Sequence, residues 1–140
     1  MSEHPVRVLV VTDHADAPNL LDAIRRRAGE GPVQFRVLIP NPAHAEAHLR
    51  HPEHHAKAEQ AERVLHDFLP AITEAAGGPV LGSVSIRNDP YDAVEETLLD
   101  EPVDEFMVAL ARHGLAAALH LDLPHRLAHF GLPVTTIPST

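Results

Sequence analysis

Apolar residues fall along this chain in two rhythms: short dense runs, and longer stretches where they recur every three or four positions. Strands alternating with helices produce such a pattern. The densest run is Arg7-Val8-Leu9-Val10-Val11-Thr12-Asp13. Its apolar residues do not alternate with polar ones, as expected of a strand covered on both faces in a parallel sheet. Asp16 and Pro18 then carry helix-start chemistry, a capping carboxylate followed by a proline placed where a missing N–H costs nothing. Leu20, Leu21 and Ile24 follow at helical spacing, and Gly29 and Gly31 stop the helix. A second strand is predicted from Val33 to Ile39, ending at Pro40-Asn41-Pro42.

From about Glu53 to Ala76 the spacing predicts a long helix, with Ala61, Val64, Leu65, Phe68, Ile72 and Ala75 on one stripe. Pro70 is expected to kink or divide it, and Gly77-Gly78 to end it. Val80 to Ile86 alternates more, which predicts a third strand nearer a sheet edge. Asp89 as cap and Pro90 as first helical residue open a third helix bearing Ala93, Val94, Thr97 and Leu98. Asp104 to Leu110 reads as a fourth strand, and Leu115 to Leu121 as a short helix or a packed loop. Asp122 to Phe130 reads as a capped helix broken by Gly131, and Val134 to Ile137 as the last strand.

This βαβαβαβαβ order, over one domain of 140 residues, predicts a Rossmann-like α/β fold. Right-handed crossovers make it a three-layer α/β/α sandwich with a five-stranded parallel sheet ordered 3-2-1-4-5. Its strand order reverses between strands one and four. A ligand crevice there would be lined by Thr12, Asp13 and His14 on one side and Ala111, Arg112 and His113 on the other.

Composition narrows the function classes. The chain has no cysteine, which excludes disulfides, thiolate catalysis and sulfur-ligated metal sites. A formal charge of −9 and a single lysine, Lys57, weigh against nucleic acid as a partner. No apolar run reaches membrane-spanning length, and Met-Ser-Glu-His-Pro lacks the basic and apolar regions of a signal peptide, so a cytoplasmic location is expected. Arg25-Arg26-Arg27 falls at a helix end, where cations suit the dipole; phosphate binding is the alternative. Eight acids and no basic residue lie between Asp89 and Glu105, and a solubilising acidic helix face is expected there.

No Gly-x-Gly-x-x-Gly, P-loop, His-Glu-x-x-His or Gly-x-Ser-x-Gly occurs, and none of the four serines suggests an activated nucleophile. Asp13 is placed either to accept hydrogen bonds from a ribose or base, or to order the turn. Arg112 and His113 are candidates for holding an anion in the same crevice. An Asp13–His113 catalytic pair lacks a third partner, so no catalytic residue is assigned. Twelve histidines are present, and residues 43–55 are histidine-rich, read as a short irregular helix or a mobile loop. His44 and His48 are four apart, and His51 and His54 three apart. Either pair could share a helix face and bind zinc, nickel or copper weakly; the alternative is no specific metal.

Several local patterns, in order from Val8 to Ile137, resemble the universal stress protein family. Val10-Val11-Thr12-Asp13 resembles its first strand with a nucleotide-contacting aspartate. Asn88-Asp89-Pro90 resembles the turn opening its third helix, Val103 to Val108 its fourth strand, and Gly131-Leu132-Pro133-Val134 the entry to its fifth. The alanine- and arginine-rich, lysine-poor composition is similar to that of divergent single-domain actinobacterial members. Nucleotide-binding members carry Gly-x2-Gly-x9-Gly-Ser/Thr after strand four. Here those positions are Ala109, Arg112, Asp122 and Leu123, and all four depart from the pattern. The resemblance therefore implies the fold, and Asp13 as an adenine- or ribose-side contact, without the triphosphate cradle. It implies a stress-response-type small-ligand sensor or protein-interaction domain without robust catalysis. Alternatives are an ATP- or AMP-binding protein with weak or no hydrolysis, and a histidine-rich metal-responsive protein. Family members often dimerise through the last strand, so a homodimer is expected.

Overall fold

The computed structural model describes residues 5–12, 18–39, 54–84, 90–109 and 123–137, except for the side chains of 54–61, 64 and 90. The elements are β1 (Val6–Thr12), α1 (Pro18–Ala28), β2 (Val33–Ile39), α2 (His54–Ala76), β3 (Leu81–Val84), α3 (Pro90–Asp100), β4 (Glu105–Ala109), α4 (Leu123–Leu127), a 3₁₀ turn (Ala128–Phe130) and β5 (Val134–Thr136). All strand pairs are parallel, and the sheet order is β3-β2-β1-β4-β5. This is the expected 3-2-1-4-5 sheet of an α/β Rossmann-like sandwich.

Alternation along the strands separates two cores. Val8 and Val10 of β1, Phe35 and Val37 of β2, and Met107 and Ala109 of β4 face α1 and α2, joining Leu20, Ile24, Phe68 and Ile72. Leu9, Val11, Leu38, Phe106 and Val108 point the other way, onto Ala93 and Val94 of α3 and Leu123 and Leu127 of α4. Because β1 is buried on both faces, from Val8 to Thr12, no alternation shows in its sequence. Thr97, the polar residue on the buried stripe of α3, donates its hydroxyl to the carbonyl of Ala93 at 3.0 Å, so its own donor is met within the helix.

Three boundaries differ from expectation. The stripe of α2 runs on through Pro70 without dividing the helix. Pro70 and His66 are both exposed, so the carbonyl at 66 that proline leaves without its N–H donor can turn to water. β3 begins at Leu81 rather than Val80, and its described part runs to Val84, with Ser85 and Ile86 outside the described residues. It is the sheet edge that its alternation predicted, and Leu81 is 53% exposed. The helix before β5 changes to a 3₁₀ turn at Ala128 and ends at Gly131, whose φ of 77° is a left-handed cap that glycine adopts without strain.

The acidic stretch is not simply a solvated face. Glu101 meets Arg36 at 3.2 Å, Asp104 meets Arg7 at 3.4 Å, and Glu105 meets Arg27 at 3.1 Å. Asp104 Oδ2 also accepts the backbone N–H of Arg7 at 2.8 Å. These arginines come from far back in the sequence, so the acids serve as stitches between β4 or the end of α3 and the first half of the sheet. Asp92, Glu95, Glu96 and Asp100 do face solvent.

Candidate functional site

Two places in this topology bear on function. The first is the reversal of strand order. The β1→β2 and β2→β3 connections place their helices on one face of the sheet, whereas the helices after β3 and β4 lie on the other, so the connections from the paired carboxyl ends of β1 and β4 serve opposite faces. Thr12 and Ala109 are register partners there, both buried. Thr12 is the one expected crevice residue that the structure describes. It is fully buried and bonded, so it forms the floor of the strand end. Asp13, Arg112 and His113 lie outside the described residues, as do His44, His48 and His51; of His54 only the backbone, the first residue of α2, is described. The chain nevertheless leaves this strand end through Asp13, one residue beyond Thr12, and reaches Arg112 and His113 three and four residues beyond Ala109.

Two of the cradle positions are described. Ala109 is 3% exposed, and Leu123 is 1% exposed, packed as the first residue of α4 into the second core. An isobutyl side chain inward at that place offers a phosphate neither hydroxyl nor free space.

The second place was not foreseen from sequence. On the face covered by α1, a cleft of about 760 Å³ runs between that helix and β4–β5. Its floor is apolar, formed by Ala23, Met107 and Ile137, and its rim polar, formed by Asn19, Asp22, Arg26, Glu30 and Thr135 among others. Arg27 and Glu105 close one end as a bidentate pair, Nε to Oε2 at 3.1 Å and Nη2 to Oε1 at 3.2 Å, each side chain 19% exposed. Glu30 joins them at 3.5 Å. The hydrogen bonding that Arg27 donates to Glu105 is the largest influence on it. Burial opposes it, and the charges of Glu105 and Glu30 add to it, leaving the guanidinium pKa above its ordinary value. Arg27 is thus a fixed structural cation. Arg25 is held by Asp22 at 3.1 Å. Of the basic run, Arg26 makes no ion pair among the described residues and lines the cleft. Arg26 and Arg27 thus border one cleft, but with Arg25 on Asp22 and Arg27 on Glu105 and Glu30 the run does not present three free cations to an anion. The spacing of Leu20 and Ile24 placed α1 on the sheet, but nothing local told which strands the opposite flank of α1 would overlook.

Among the described residues no group of three or more His, Asp or Glu could hold a metal ion, and no helix is long and apolar enough to cross a membrane. The chain matches no protein-family model and no curated protein sequence.

Proposed function

We propose that this chain is a small-ligand sensor domain of the universal-stress-protein type, acting without robust catalysis and taking an adenosine-like ligand at the carboxyl ends of β1 and β4. The observation that carries the reading is the Thr12–Ala109 register pair at the reversal of strand order, since open α/β sheets bind ligands outside the carboxyl ends of their strands at that point. Asp13 follows Thr12 directly and is the group assigned to ribose or base hydroxyl and amino donors. Arg112 and His113 are assigned to an anion of the same ligand. The inward packing of Leu123 supports a ligand without a bound triphosphate. A cytoplasmic homodimer, paired through the outer edge of β5, belongs to the same reading.

The test is calorimetric titration of the full chain with adenosine, AMP, cyclic nucleotides and ATP, with and without magnesium. Adenosine and AMP should bind, ATP should bind no more tightly than AMP, and magnesium should have no effect. Removal of a charged hydrogen-bond acceptor by Asp13→Ala should weaken binding by about 10- to 100-fold. Silence across the panel overturns the ligand assignment. Tight, magnesium-dependent ATP binding overturns the inference drawn from Leu123.

A further inference from the structure

We propose that His125 and His129 form an open two-histidine site for a divalent transition-metal ion, with Cu(II) the preferred occupant. His125 belongs to the α4 helix and His129 to the 3₁₀ turn that continues it, so a spacing of four brings both rings to one face. Both residues are exposed. Their ring centroids are 6.0 Å apart with planes at 83°. An imidazole nitrogen sits about 2.0–2.1 Å from such an ion, which puts each ring centroid about 3.2 Å from it. Two imidazoles about 90–120° apart on one ion then have centroids about 4.5–5.5 Å apart. The observed pair reaches that separation by side-chain rotation of about 1 Å, with no change of backbone.

The neighbouring cation does not compete. Arg126, between the two histidines in sequence, lies over the ring of Tyr91, its guanidinium carbon 4.3 Å from the centroid. Tyr91 in turn stacks on Phe130 at 5.4 Å. The Arg126 side chain is thereby committed to the α3 side, and the same contacts steady the segment that bears the histidines. A chain without cysteine offers imidazole as its best transition-metal ligand, and among divalent ions imidazole sites favour Cu(II) over Ni(II) and Zn(II). Two protein ligands leave the remaining coordination positions to water or to an incoming oxygen or nitrogen donor, as in sites that exchange ligands rather than in closed structural ones. Neither histidine is among the residues assigned to the ligand crevice or among residues 43–55.

The experiment is titration of the full chain with Cu(II), followed by calorimetry and by electron paramagnetic resonance. The wild-type chain should take a first equivalent with two-imidazole coordination. His125→Ala and His129→Ala, each at an exposed position, should each lower that affinity at least about tenfold, because a chelate becomes a single arm. A chain with His44, His48, His51 and His54 all changed to alanine should keep the first equivalent and its spectrum. Unchanged affinity in both single variants, or loss of the first equivalent in the fourfold variant, overturns the proposal. Circular dichroism establishes that each variant has the wild-type fold before it is titrated.

Discussion

Gly82 lies in β3 opposite Val37, on the face that receives α2. A methyl group built there falls 2.7 and 2.9 Å from the two δ carbons of Leu65 and 3.2 Å from its γ carbon, well inside the ordinary carbon–carbon contact of about 3.5–4.0 Å. Turning the end of the leucine does not relieve all three contacts, since the γ carbon is among them. Leu65 must shift as a whole, on a helix pinned by Phe68 and Ile72, which are 1% and 0% exposed. Overpacking of this kind costs about 1–3 kcal/mol. Replacing glycine by alanine also restricts the unfolded chain, which returns about 0.4–1 kcal/mol. Gly82→Ala should therefore destabilise by about 1 kcal/mol, or about 4 °C in Tm for a domain of this length. Urea denaturation followed by circular dichroism measures it, with an unchanged m-value as the check that only stability moved. Leu65→Ala makes room for the new methyl, so the double variant should lose about 1 kcal/mol less than the two single losses combined. A stabilised Gly82→Ala, or strict additivity with Leu65→Ala, would refute the close seating of α2 on β3.

Four further outcomes are expected. The bidentate Arg27–Glu105 pair, largely shielded from water, should show a coupling of about 1–2 kcal/mol in a double-mutant cycle with Arg27→Met and Glu105→Gln. A pKa raised by folding contributes stability that is complete below the unfolded value and lost only as pH rises through the folded one; for Arg27 both lie above the ordinary working range, so this cation should add no slope to stability between about pH 6 and about pH 9. At the β5 edge, the Pro133 carbonyl accepts from Phe106 and the Ile137 N–H donates to Val108; with a period of two, the Thr136 N–H then points away from β4. Thr136→Pro should thus spare the β4 ladder while converting the proposed dimer to monomer in sedimentation, and a wild-type chain already monomeric at micromolar concentration would dispose of the dimer. Leu127→Ala, at a position fully buried beside Phe106 and Val94, should cost about 2–4 kcal/mol in urea denaturation; a loss under about 1 kcal/mol would mean that α4 does not seal the second core.

Periodicity alone was enough to place the strands and helices, since burial of one face or two is written directly into the spacing of Val8 to Val11, of Leu20 and Ile24, and of Phe68, Ile72 and Ala75. With short connections and right-handed crossovers, that pattern admits few topologies, and the 3-2-1-4-5 order was legible for this reason. The reversal of strand order at Thr12 and Ala109 came with it. Tertiary structure alone decided the rest. Arg7, Arg27 and Arg36 stand 65 to 97 residues from the acids they meet, a separation across which no local rule pairs charges, and so the last three acids of the stretch, Glu101, Asp104 and Glu105, pair across the sheet while those on α3 face solvent as expected. The cleft beside α1 exists because the flank of that helix overlooks β4 and β5, strands far along the chain, and Gly82 matters because Leu65 arrives over it from another element. Sequence spacing acts along one element, where neighbours are fixed by the backbone; ion pairs, clefts and close approaches join different elements, and only the assembled sheet sets their distances.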